Sequence, residues 1–230
     1  MSNVDIVDLA ELPLREVNAR LQQHDGSEPS TSFRVLNPNG AHAVACGLDA
    51  PVVVEIDGHA GYYAAGMNQA ADVTIRGNAG PGVAENMMSG RVRVTGDVSQ
   101  YAGASGRGGL LVVEGNASSR CGISMKGIDI VVKGDIGHMS AFMAQAGRLV
   151  ALGDVGADFG DSIYEARLFV RGGVKSLGAD CVEKDMGDGH RAELAELLAK
   201  AGFDADPADF KRYGSARKLY NFNIDNAGAY

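Results

Sequence analysis

Tryptophan is absent from the 230 residues, aromatic residues make up 6% of them, and cysteine occurs three times. Cys46, Cys121 and Cys181 are far apart and form no C-x-x-C pair. That spacing supplies neither a disulfide framework nor a zinc or iron–sulfur set, so the three read as reduced thiols of a cytoplasmic protein. Positive charge is also short: 21 Lys and Arg face 29 Asp and Glu, for a net charge of −8. A nucleic-acid surface needs basic residues to meet phosphates, so nucleic acid is not an expected partner. No apolar run approaches the roughly 20 residues that span a bilayer. Met1-Ser2-Asn3-Val4-Asp5 has neither a basic start nor an apolar core, so no signal peptide and no membrane partner is expected.

Glycine is plentiful, with 32 residues, and its placement is regular. Gly58, Gly77, Gly96, Gly115, Gly134, Gly153 and Gly172 follow one another with a constant step of nineteen positions. A fixed period of this length marks a solenoid, whose repeats bury their apolar faces only against one another. Four places before the glycine stand Val54, Val73, Val92, Leu111, Ile130, Leu149 and Leu168, and two places before it another apolar column. Apolar residues at every second position, many of them β-branched, predict a strand with one face inward. The next residue after the glycine is Asn78, Asp97, Asn116, Asp135 or Asp154 in five repeats, which reads as turn chemistry tolerant of positive φ. The repeat continues as G-x-x-[GS]-x-x-x-[GA], with Gly153, Gly156 and Gly160 as its all-glycine form. Small residues at fixed places predict tight corners or close backbone approach.

A repeat this short has room for one strand and two corners. It cannot hold a strand and a helix, and it fits one coil of a parallel β-helix. The predicted fold is an all-β solenoid, a right-handed parallel β-helix of about seven coils, with strands stacked roughly 4.8 Å apart in a rod of about 34 Å. The predicted organisation is an N-terminal helix, linker and cap over 1–50, the β-helix over 51–180, and a helical C-terminal extension over 181–230. In the N-terminal segment, Leu14, Val17 and Leu21 at helical spacing behind Pro13 predict a short helix, and Phe33–Leu36 a strand. In the C-terminal segment, Leu194, Leu197, Leu198 and Ala201 stand at i, i+3, i+4 and i+7 before Gly202 and predict an amphipathic helix. Pro207 is expected to open a second short helix over Ala208–Tyr213.

Three places before the glycine, the outward column changes character. It begins with Glu55, Thr74 and Arg93 and continues as Val112, Val131, Val150 and Phe169. An apolar stripe of that size is not left in water, so either the C-terminal segment or a partner covers it, which makes these four candidate interface residues. Arg217, Lys218 and Tyr220 form a basic-aromatic tail that suits an interface or a cap equally.

Catalytic, cofactor and metal candidates are few. The Asn/Asp ladder lacks the nine-residue beat of a calcium-binding β-roll. G-x-x-G-x-x-x-G recurs in every coil without opening a helix, unlike a dinucleotide loop. Asp158, Asp161 and Glu165 cluster in one corner with no basic partner nearby in sequence, which reads as a solvated corner. His59 and His138 read as the same corner of coils four apart, roughly 19 Å, too far to share a metal. Met87, Met125 and Cys121 read as packing. The chain alone is therefore expected to hold no catalytic, cofactor-binding or metal-binding residue.

The repeat over about 50–180 resembles the GXGXG domain, the β-helix at the C-terminal end of the glutamate synthase large subunit. The ends, Asp8–Asn18 and Tyr213–Tyr220, together with Tyr101–Gly109, are similar to the stand-alone form of that domain, the β-helical chain of the N-methylglutamate synthase (methylamine–glutamate N-methyltransferase) family. The resemblance implies membership of a complex converting methylamine and glutamate to N-methylglutamate and ammonia. It also implies amidotransferase-like and FMN-binding synthase-like partner chains, with FMN, and any iron–sulfur cluster, carried by a partner. A related β-helix belongs to formylmethanofuran dehydrogenase, whose ends fit less well. A stand-alone β-helix binding module is the other reading.

Overall fold

Each repeat forms one coil of a parallel β-solenoid because its apolar strand pairs with the same strand of the next repeat: Val54 faces Val73, Val73 faces Val92, and Val92 faces Leu111. The computed structural model describes residues 4–23 and 32–217. In chain order the elements are β1 (Val4–Asp8), α1 (Leu14–Gln22), β2 (Ser32–Leu36), β3 (Val53–Ile56), β4 (Asp72–Ile75), β5 (Arg91–Val94), β6 (Leu110–Val113), β7 (Lys126–Val132), β8 (Ala146–Ala151), β9 (Arg167–Val170), β10 (Cys181–Lys184), α2 (Asp188–Ala201) and β11 (Lys211–Ser215). One sheet runs β1-β2-β3-β4-β5-β6-β7-β8-β9-β11-β10. A second, single-residue contact line runs up the next side of the rod, from Ala60 through Ala79, Val98, Ala117, Ile136 and Val155 to Val174.

The inward columns form one continuous core. Val54, Ile56, Val73, Ile75, Val92, Val94, Leu111, Val113, Ile130 and Val132 are fully buried, as are Met87, Met125 and Cys121. Each such aliphatic side chain contributes about 1.5–3 kcal/mol when buried, and it is buried only because a coil lies above and below it. The parallel stack takes in more of the chain than the glycine beat marks. β1 pairs in parallel with β2, and β2 with β3. The segment after β2 already makes the inter-coil bonds of a corner, with the Ala43 amide donating to the Tyr62 carbonyl and the Gly47 amide to the Gly66 carbonyl. Helix α1 seals this end, with Val17 and Leu21 in the core and Asn18 bonded to the backbone of Ala43 and Ala45.

The repeat glycines do not serve positive φ. Of the seven, only Gly58 has it. They allow close approach instead: a Cβ on Gly115 would lie 2.5 Å from Asp97 Oδ1 and 2.7 Å from the Gly96 backbone, and Gly96 and Gly134 meet the coil below in the same way. The positive φ values fall elsewhere, at the fifth, seventh and ninth places after the glycine. Tyr63, Ala65 and Met67 have φ of 61°, 51° and 55°, and Arg120, Gly122 and Ser124 repeat this at 60°, 68° and 52°. Each non-glycine residue held there costs about 1–2 kcal/mol. The alternation turns successive amides to opposite neighbours. Tyr63 N donates to Pro81 O of the next coil at 2.9 Å, Ala65 N to Val44 O of the previous one at 2.9 Å, and Met67 N to Glu85 O of the next at 2.8 Å. Those bonds offset the backbone cost. Through the first six repeats the seventh place is left-handed and points into the core, where Ala65, Ala84 and Ala141 are fully buried, which leaves room only for Gly or Ala.

The C-terminal segment, expected to be helical, also contributes two strands, β10 and β11. Helix α2 forms as predicted and ends at Gly202, whose φ of 77° lets its amide reach the Ala199 carbonyl. The second helix does not form beyond a single turn at Pro207–Asp209, capped by Asp206 accepting from the Ala208 amide. The following residues are β11, which lies antiparallel between β9 and β10. Phe210 and Tyr213 both bury on this path, which an extended chain permits.

Candidate functional site

The outward apolar column is covered by the chain itself. Val112, Val131, Val150 and Phe169 are fully buried and pack with Leu194, Leu197, Leu198 and Ala201 of α2 and with Phe210. The sequence offers these four to a partner interface as readily as to the C-terminal segment; the structure places them in a second core. The physical reason is a match of two stripes, four apolar strand positions meeting the apolar face of one helix. Polar contacts fix the docking. Glu193 pairs with Arg148 at 3.3 Å and with Arg167 at 3.0 Å, and Arg148 also pairs with Asp129. The Asp129 carboxylate raises the Arg148 pKa from its ordinary value.

The Asn/Asp column forms a hydrogen-bonded ladder along the rod. Asp97 N donates to Asn78 Oδ1 at 3.0 Å, Asn116 N to Asp97 Oδ1 at 2.7 Å, Asp135 N to Asn116 Oδ1 at 2.9 Å, and Asp154 N to Asp135 Oδ1 at 2.7 Å. His59 makes the first rung by accepting from Asn78 N through Nδ1 at 2.9 Å, and Gly173 N closes the series on Asp154 at 2.7 Å. None of these Asn and Asp residues has positive φ, so their short side chains are selected by reach to the next coil rather than by turn conformation. A shallow concavity of about 480 Å³ lies along the upper rungs, lined by Asp135, Asp154 and Lys175.

The sixth-coil acids are tied into their own corner. Asp158 bonds with Ser176, and Asp161 accepts from Ser162 Oγ at 2.7 Å and from Ala179 N at 3.2 Å. Glu165 is exposed. Arg217 pairs with Asp180 at 2.5 Å, beside a small recess lined by Met143, Ser162, Ile163 and Tyr164. Lys218 and Tyr220, the rest of the basic-aromatic candidate, lie outside the described residues. His138 is exposed and three places further around its coil than His59 is around its own. Among the described residues, no group of three or more His, Cys, Asp or Glu side chains could hold a metal ion. Burial pushes the Cys121 thiol up to about 12 and Cys181 to about 11, so neither is a thiolate near neutrality. No helix among the described residues is long and apolar enough to cross a membrane.

One corner carries no motif in the sequence. Tyr62, Glu85, Tyr101, Ser105, Ile123 and Ser124, from four successive coils, line a recess of about 330 Å³. Tyr62 is 49% exposed, and its ring leans on Tyr63 at 5.6 Å and on His42 at 6.4 Å. Asn86 Nδ2 donates to the Tyr63 hydroxyl at 3.2 Å. Burial alone raises the Glu85 pKa from its ordinary value. The lining residues occupy several different offsets in their repeats, so only the left-handed corner brings them together. The one sign in the sequence is the pair Tyr62-Tyr63 in a chain poor in aromatics.

No protein-family profile matches the chain. It is 66% identical over 226 residues to Protein GlxC of Rhizobium meliloti (strain 1021), a match covering 98% of this chain and 99% of that protein.

Proposed function

The chain belongs to the GlxC family, and from that premise we propose that it is a non-catalytic scaffold and interface subunit of a flavin-dependent, glutamate-synthase-like complex. The finer reading is N-methylglutamate synthase, which joins methylamine and glutamate and releases ammonia. Amidotransferase-like and FMN-binding subunits supply the chemistry in this reading, with FMN and any iron–sulfur cluster on those partners.

The observation that carries it is the register from β3 to β9, in which each strand pairs with its equivalent in the next coil at the same sequence interval, with a single irregularity between Lys126 and Asp129 where Lys126 faces Ala146. With no loop inserted between coils, the Asn and Asp side chains are spent on coil-to-coil bonds, and the outward stripe is spent on α2. The result is a rigid rod, suited to holding other chains at a fixed separation. The resemblance of the repeat to the GXGXG domain supports the choice of complex.

The test is a mild purification of the tagged full-length chain from its own cells, with identification of the retained chains and a visible spectrum. A yellow complex containing amidotransferase-like and flavin-binding chains, active on methylamine plus glutamate, is expected. Retention of molybdenum or tungsten chains instead, or of no chain at all, would overturn the reading.

A further inference from the structure

The recess on the left-handed corner has two features that the rod does not use. The first is charge. Glu85 lines the recess half-buried, with Tyr62 and Tyr101, and among the described residues no hydrogen-bond donor or cation partners its carboxylate, which lies against the bare Cα of Gly82. Other carboxylates on the rod have partners, such as Glu55 with Arg76, Glu114 with Arg93, and Asp129 with Arg148. The second is the rim. Met67, 45% exposed, and Met143, 38% exposed, occupy the same repeat position as Ser105 and Ser124, in coils on either side of those two serines, Met143 also lining the recess beside Arg217. Tyr and Met are enriched at interfaces, where a carboxylate is rare unless a partner charge meets it.

We propose that this corner docks a partner polypeptide that places a Lys or Arg side chain against Glu85 between Tyr62 and Tyr101. The proposal rests on the subunit reading above and names the surface that the reading requires, since α2 already fills the strand-side stripe. Charge complementarity selects the partner's side chain: the carboxylate takes the cation, and the tyrosine faces favour it further. The open shape selects a polypeptide over a free amine. A small ammonium ion in this shallow recess would stay largely in water, whereas a chain lying across the rim would cover Met67 and Met143 and desolvate the ion pair.

The test uses the chains that the wild-type protein retains in native purification, recombined with full-length Glu85→Gln, Glu85→Arg and, as a control, Glu165→Gln. Removing one member of a desolvated charge pair is expected to weaken binding by about 10-fold or more for Glu85→Gln, with a larger loss for Glu85→Arg and none for Glu165→Gln. Unchanged thermal unfolding of Glu85→Gln alone separates docking from folding. Met67 and Met143 should become protected from peroxide oxidation in the complex. Wild-type affinity for Glu85→Arg, or unprotected methionines, overturns this surface while leaving the subunit reading in place. Failure of the wild type to retain any chain overturns both. An intact Glu85→Gln complex that no longer binds methylammonium or guanidinium ions, where the wild type does, would assign the recess to a free cation and overturn the polypeptide.

Discussion

Arg93 donates through Nη2 to the carbonyl of Ala201 at 2.5 Å, closing the last turn of α2 from a strand 108 residues earlier in the chain. The other terminal guanidinium nitrogen, Nη1, pairs with Glu114 at 2.6 Å. A helix C-terminus leaves carbonyls without partners, and a cation there also complements the helix dipole. Arg93→Ala should cost about 1.5–3 kcal/mol, the usual worth of a hydrogen bond to a charged group. Chemical denaturation measures the loss. Hydrogen exchange should place it at the end of α2 rather than in the coils.

The stripe beneath α2 makes a stronger prediction. Val131 and Val150 are fully buried against the helix, so Val131→Glu with Val150→Glu strands two carboxylates in an apolar layer. The isolated chain should lose α2 docking or fail to fold, which far-ultraviolet circular dichroism and size exclusion would show. A well-folded double variant of wild-type stability would mean that α2 does not cover the stripe in solution.

Two glycine substitutions should have opposite signs. Gly115→Ala drives a Cβ to 2.5 Å from Asp97 Oδ1 and into the coil below, for a loss of about 1–3 kcal/mol as in other overpacked sites. Gly189 lies in the first turn of α2 with nothing within 4 Å of an added Cβ. Gly189→Ala should stabilise the protein by about 0.5–1 kcal/mol through helix propensity and a less free unfolded chain. Paired thermal melts would check both.

The thiols give a pH window. Cys121 rises from its ordinary 9.0 to about 12, and Cys181 from 9.0 to about 11. A raised folded-state value means that the unfolded chain loses its proton first. The stabilisation is therefore complete below pH 9.0 and declines as pH climbs towards 11 and 12. Urea midpoints should fall across that range and fall less steeply in Cys121→Ala. At pH 8, iodoacetamide should modify Cys46, which is partly exposed, before either buried thiol, as read by intact mass.

The strands, their register and helix α2 are legible because each rests on periodicity: two for the coils, between three and four for the helix, and nineteen for the stack. The corners are not. An Ala such as Ala65 gives no sign in sequence that its φ is 51°, and Asn116 reads as a turn residue although its side chain is bonding to another coil. These choices depend on what lies one coil away, which a local window does not contain. The same blindness hides the Glu85 recess. β1 leaves little trace because its five residues carry only one buried side chain, Val7. β11 passes for helix because Pro207 announces a turn that stops after three residues.

The order β9-β11-β10 makes the end of the rod depend on the last-made of its described strands. During synthesis the coils can assemble one on another as they emerge, each new strand adding to a finished edge. β10 and α2 emerge before the strand that belongs between β10 and the stack. The place beside β9 therefore stays open until Lys211–Ser215 arrives and slots in, linking Leu168 on one side to Glu183 on the other through Tyr213. Maturation of the far end is a single late insertion. A chain stopped before Lys211 would carry a complete set of coils and an unfinished, adhesive edge, the kind of species that quality-control machinery removes.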